Sequence, residues 1–121
     1  MNEKNYIPGM IDALLMAIDN CDWDSLSKLL STNTVYEVSG FPRFDGREAV
    51  MDYYENIRPI ESGEHTIDSI VAEEDKAVCC GRFVGTKKNG EIVDVLFADE
   101  LGFKNFKIKQ RRVYFCQPTD K

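Results

Sequence analysis

The sequence predicts an α+β domain in which helices pack on one face of a strongly curved, mostly antiparallel sheet. Three observations carry that prediction. Two helical stripes come first, Ile11, Leu14, Leu15 and Ile18, then Trp23, Leu26, Leu29 and Leu30. A short β-rich run follows, leading into a third helix. From His65 onward, four apolar-rich runs are divided by turn or charge signals, as in an antiparallel meander.

Taken in order, residues 1–7 carry no periodic signal and are expected to be loose, as are residues 117–121. Pro8 suits a first helical turn, where its missing N–H costs nothing, and the first stripe extends to about Asn20 with Asp12 and Asp19 on other faces. Asp22 can cap the second helix, which ends near Ser31 to Asn33. Thr34 to Val38 is mostly β-branched or aromatic, with one acid, Glu37, that must be wet, paired or useful. Gly40 and Pro42 turn the chain sharply. Asp45 stands three residues before Glu48, the spacing of a capping box, so the third helix should run from about Arg47 to Ile57. Pro59 and Gly63 then mark a loop. The four runs cover residues 65–72, 77–86, 91–103 and 107–116. Glu73 to Lys76 forms a charged turn, and Asn89-Gly90 is a hairpin signal.

The totals bound the function. A chain of 121 residues is one domain with a real core. Its 43% hydrophobic and 30% charged residues are ordinary for a soluble protein, with no apolar run long enough for a bilayer. No secretion signal opens it, so the expected location is the cytoplasm. A formal net charge of -6 repels a phosphate backbone, and the one basic cluster, Lys107 to Arg112, lies in a strand whose alternate residues face opposite ways; no nucleic acid and no membrane partner is expected. Cys21, Cys79, Cys80 and Cys116 have no zinc-site spacing and read as small buried thiols, and no metal is expected.

Few residues carry chemistry. Asp99 shares a strand face with Val93, Val95, Phe97, Leu101 and Phe103, so it should point into a pocket. If the last hairpin turns around Lys104 to Phe106, Asp99 lies opposite Arg111, with Lys109, Val113 and Phe115 also inward. That arginine would keep Asp99 charged and suit a ligand clamp or structural ion pair better than a proton donor. A one-residue slip would turn Arg111 outward. His65, the sole histidine, starts a strand and is expected to be solvated or at an edge. Arg82 is a further candidate cation, exposed in the simplest reading. No Ser or Cys has a base suggested by its spacing.

The order of elements, the passage VYEVSGFPRFDGREAV and the last strand KIKQRRVYF resemble the nuclear transport factor 2-like superfamily, in its SnoaL-like or ketosteroid isomerase-like branch, from about Met10 to Phe115. The resemblance implies a cone-shaped half-barrel around a deep apolar pocket, with dimerisation through the sheet. Relatives include isomerases, dehydratases, epoxide hydrolases and polyketide cyclases, and also domains with no chemistry. It places a proton-abstracting carboxylate on Glu37 and the second acid on Asp99. It places the oxyanion-binding tyrosine of the first helix on Leu14, so half of that oxyanion site is missing here. Tyr54 matches a helix-borne tyrosine that reaches the pocket.

The expected site is therefore Glu37 and Asp99 as catalytic acids, with Leu14, Tyr54, Phe97, Arg111, Val113 and Phe115 binding the ligand. The implied function is cofactor-independent isomerisation, dehydration or cyclisation of a steroid-, polyketide- or terpenoid-like substrate. In a mainly apolar pocket Glu37 would be pushed above the usual carboxylate range, toward use as a base. The alternative is a non-catalytic ligand-binding or dimerisation domain of the same fold, with Glu37 a merely satisfied acid.

Overall fold

The computed structural model describes residues 6–116. Helix α1 (Tyr6–Asp19) starts within the stretch expected to be loose, because Ile7 adds a further buried position to the stripe of Ile11, Leu14, Leu15 and Ile18. The rest of residues 1–7, and residues 117–121, lie outside the described part. Helix α2 (Trp23–Leu29) has the expected cap: Asp22 accepts from the Ser25 amide and hydroxyl at 3.2 and 2.7 Å. Leu30, the last apolar residue of the stripe, instead opens strand β1 (Leu30–Val38).

Strand β2 (Phe44–Asp45) pairs with β1, and helix α3 (Arg47–Asp52) continues as a π-helical turn, Tyr53–Ile57. The expected capping box does not form. Asp45 is in the β2 ladder and pairs with Arg43 at 3.0 Å, and the N-cap position falls to Gly46, whose φ of 93° makes the turn into the helix. Four long strands follow: β3 (Ile60–Glu73), β4 (Lys76–Lys87), β5 (Ile92–Lys104) and β6 (Lys107–Cys116). Strand β3 begins earlier than the loop signal allowed. Gly63 is not a loop residue but the point where the Phe83 ring crosses the strand, in space a Cβ would occupy.

The open six-stranded sheet has the order β2-β1-β6-β5-β4-β3, with β1 parallel to β6 and every other pair antiparallel. Its inner face carries Val95, Phe97, Asp99, Leu101 and Phe103 of β5 against the buried stripe of α1. This is the α+β half-barrel expected from the sequence, with the core between the helices and the concave face. No helix among the described residues is long and apolar enough to cross a membrane.

The β5–β6 register differs from expectation in a way that preserves its consequence. The hairpin closes through a two-residue turn, Asn105 and Phe106 with φ of 54° and 62°, not a three-residue one. That alone would have sent Arg111 outward. A bulge then inserts Lys109 between Ile108 and Gln110, so Leu101 faces Arg111 and Asp99 faces Val113. The net shift is two residues, which keeps both Asp99 and Arg111 on the inner face. Lys109 is exposed and Ile108 takes its expected inward place.

Candidate functional site

A cavity of about 330 Å³ opens between the concave face of the sheet and the end of α3. Its walls are mainly apolar, with Tyr53, Phe83, Val95, Phe97, Val113 and Phe115 among them, and its polar groups include Tyr54, Arg58, His65, Lys87, Asp99 and Arg111. Two separate constellations stand among those groups.

The first runs across the inner end. Arg111 Nε donates to Asp99 Oδ2 at 2.9 Å, and its Nη1 donates to the Tyr54 hydroxyl at 2.6 Å. The Arg111 guanidinium also lies 5.1 Å from the Tyr36 ring centroid, and the Tyr36 ring stacks on that of Tyr54 with centroids 5.7 Å apart. Burial alone would lower the arginine's pKa, but Asp99, Tyr54 and Tyr36 outweigh it and hold it well above its usual value. Asp99 is 1% exposed, yet its Oδ1 has no partner among the described residues. A buried carboxylate oxygen left without a donor costs about 1–3 kcal/mol. The fixed cation on the other oxygen compensates part of that cost through a charge-assisted hydrogen bond.

The second constellation was not anticipated. His65 is not solvated: its side chain is 8% exposed, lines the cavity, and lies tilted against Phe83 and edge-on to Phe97, with centroids at 4.6 and 5.3 Å. Asp19, in the last turn of α1, accepts from the His65 backbone N–H at 2.8 Å and meets its ring Nδ1 at 2.6 Å. With the carboxylate as acceptor, the neutral ring carries its proton on Nδ1 and presents the Nε2 lone pair. Nε2 has no partner among the described residues. One signal in the sequence bore on this pair: an acid in the last turn of a helix, where the dipole disfavours negative charge, asks for a compensating donor.

The expected carboxylate pair does not assemble. In β1 the inward residues are Thr34, Tyr36 and Val38, so period-two alternation puts Glu37 on the outer face. Its side chain is 33% exposed and pairs with Arg112, the opposite residue of β6, at 2.9 Å. Leu14 is likewise outside the cavity; it is core, beside a void of about 10 Å³ that Tyr54 and Arg111 also touch, too small to admit a ligand. Tyr54, Phe97, Asp99, Arg111, Val113 and Phe115 do line the cavity together. Arg82 is exposed and forked onto Asp94 at 2.7 and 2.6 Å. Of the cysteines only Cys79 is fully buried, and burial, then the neighbouring Asp99, pushes its pKa up to about 12, which makes it inert. No cluster of three or more His, Cys, Asp or Glu that could hold a metal occurs among the described residues.

A family model described as a SnoaL-like domain matches residues 11–111. The chain belongs to the SnoaL-like domain family. Among solved structures, this SnoaL-like domain is similar to an NTF2-like protein of unknown function from Burkholderia pseudomallei, with TM-score 0.82 and 14% identity over 90% of this chain and 89% of that one. It is similar to a protein of ketosteroid isomerase-like fold from Catenulispora acidiphila in complex with trimethylamine, with TM-score 0.79 and 19% identity over 88% and 85%. An LEH-like epoxide hydrolase from Mycobacterium tuberculosis gives TM-score 0.78 and 21% identity over 88% and 80%. Identities this low establish the fold alone. No curated protein matches the sequence.

Proposed function

We propose that this SnoaL-like domain binds a mainly apolar small molecule and moves a proton on it without a cofactor, as an isomerase, dehydratase or cyclase does. The observation that carries the reading is the His65–Asp19 pair in the cavity wall. His65 Nε2 is the base, Asp19 fixes its tautomer and orientation, and the Arg111–Asp99 pair with Tyr54 forms the polar end of the cavity. Glu37, on the far side of the sheet, has no part in the step.

The test uses 2-tetralone, an apolar ketone with acidic protons beside its carbonyl, followed by proton NMR in D₂O. The protein should accelerate exchange above the buffer rate, His65→Gln should remove about 10²-fold or more of that acceleration, and Glu37→Gln should leave it intact. Loss of exchange in Glu37→Gln with His65→Gln unaffected would overturn the assignment.

A second reading, a non-catalytic carrier in the same cavity, is supported by Arg111, which ties up one oxygen of the cavity's carboxylate. Tight binding of apolar probes with no exchange would select it. Self-association through the sheet belongs to either reading: Val78, Val84, Leu96 and Tyr114 are exposed hydrophobics on strands β4 to β6. Light scattering that returns a monomer at high concentration would exclude it. A cytoplasmic location is part of the same proposal and is checked by cell fractionation.

A further inference from the structure

The arginines of this domain are almost all engaged. Arg43 pairs with Asp45, Arg82 with Asp94, Arg111 with Asp99 and Arg112 with Glu37, and Arg47 donates to the Leu30 carbonyl. Among the described residues, Arg58 is the arginine whose side chain has no hydrogen-bond acceptor. It is half-buried, lines the cavity, and is held between two aromatic faces, 5.5 Å from the Tyr54 centroid and 5.7 Å from that of Phe83. Rings on its faces leave the edge of the guanidinium, with its fork of N–H donors, as the part open to a partner.

Lys87 lines the same cavity, and its ammonium also has no acid partner among the described residues. Backbone pairing brings the two residues near each other at the cavity mouth, and both side chains line it. Ile60 faces Lys87 across the β3–β4 ladder, and the Lys88 N–H donates to the Pro59 carbonyl at 2.9 Å. The lysines of the described residues make no ion pair with an acid; what distinguishes Arg58 and Lys87 is that both line the apolar cavity of a chain whose formal net charge is -6. Asp99 is already matched by Arg111, so it does not neutralise them.

We infer that the ligand is an apolar acid, with its hydrocarbon body against Phe83, Phe97 and Val113 and its carboxylate on Arg58 and Lys87. The planar fork of Arg58 matches a carboxylate in bidentate geometry, and Lys87 adds a point charge. The inference rests on the cavity being the binding site, as proposed above, and is independent of whether His65 moves a proton.

Isothermal titration calorimetry with 2-naphthoate and its neutral isostere 2-naphthamide tests it. The naphthoate should bind about tenfold or more tightly than the amide at low salt, and this preference should shrink as salt is raised. In Arg58→Met combined with Lys87→Met the preference should vanish, with an unchanged circular dichroism spectrum and urea midpoint showing that the variant is folded. Equal affinities for the two probes in the unaltered protein would overturn the inference and leave the cavity reading intact. A preference that survives in the double variant would overturn the assignment to Arg58 and Lys87. If neither probe binds, the cavity reading falls and this inference with it.

Discussion

Asp19 holds His65 twice, through its backbone N–H at 2.8 Å and its ring Nδ1 at 2.6 Å, and so ties the end of α1 to the first half of β3. The same carboxylate therefore serves fold and site, and two substitutions separate those roles. Asp19→Ala leaves a part-buried N–H and ring nitrogen without their acceptor and should cost about 1–3 kcal/mol in urea unfolding. Asp19→Asn can still accept one hydrogen bond, but its amide nitrogen favours the opposite tautomer of the ring. His65 is the sole histidine, so nitrogen NMR of the imidazole reads one residue. The protein should show its proton on Nδ1, and Asp19→Asn should move it to Nε2 with loss of tetralone exchange. An unchanged tautomer would refute the orienting role.

Arg111 is buried with Asp99, so removing one partner alone strands a charge. Arg111→Met should destabilise the domain by about 3–5 kcal/mol, whereas Arg111→Met combined with Asp99→Leu should recover most of that loss. Urea midpoints of the two variants check the point. A double variant as unstable as the single one would mean that lost packing against Tyr36, not the unpaired carboxylate, sets the cost.

Much of this architecture was legible because helix and strand periodicities are local. The stripe of α1, the Asp22 cap, the Asn89-Gly90 turn and the inward face of β5 all follow from residues within a few positions of one another. What failed was non-local. Glu37 was expected in the pocket by likeness to relatives, although its neighbours Tyr36 and Val38 are the better candidates for an inward face under simple alternation. Arg111 stayed on the inner face with Asp99 only because the one-residue shifts from the two-residue turn and from the bulge at Lys109 add to two. His65 owes its place to Asp19, a residue 46 positions away, which no spacing rule connects to it.

Gly81 tests how tightly the cavity floor is packed. A methyl group there would collide with the Thr66 carbonyl of β3 and come within 2.9 Å of the Phe97 ring. Strand backbone cannot yield as a flexible side chain does, so Gly81→Ala should cost about 1–3 kcal/mol and also weaken probe binding, since Phe97 lines the cavity. A variant with wild-type stability and affinity would show that β3 and β4 can separate there at no cost.

High pH should destabilise this domain progressively, with a slope that steepens above about pH 10 as the tyrosines join the cysteine. Burial, then Tyr54, pushes Tyr53 from 10.0 up to about 12; burial, then Asp99, pushes Cys79 from 9.0 up to about 12; and burial, then Tyr54, raises Tyr36 as well. Each group is thus harder to deprotonate in the folded chain. Below pH about 9 both states keep these protons and stability is unaffected; above it the unfolded chain releases them first, so stability falls with rising pH until about 12. The slope per group is at most about 1.4 kcal/mol per pH unit. Cys79→Ala should flatten the decline from about pH 9 to 12, and Tyr53→Phe should flatten it from about 10 to 12, as read from urea midpoints across that range. A midpoint that stays level from pH 8 to 12 would mean that these hydroxyl and thiol groups ionise as readily in the folded chain as in the unfolded one.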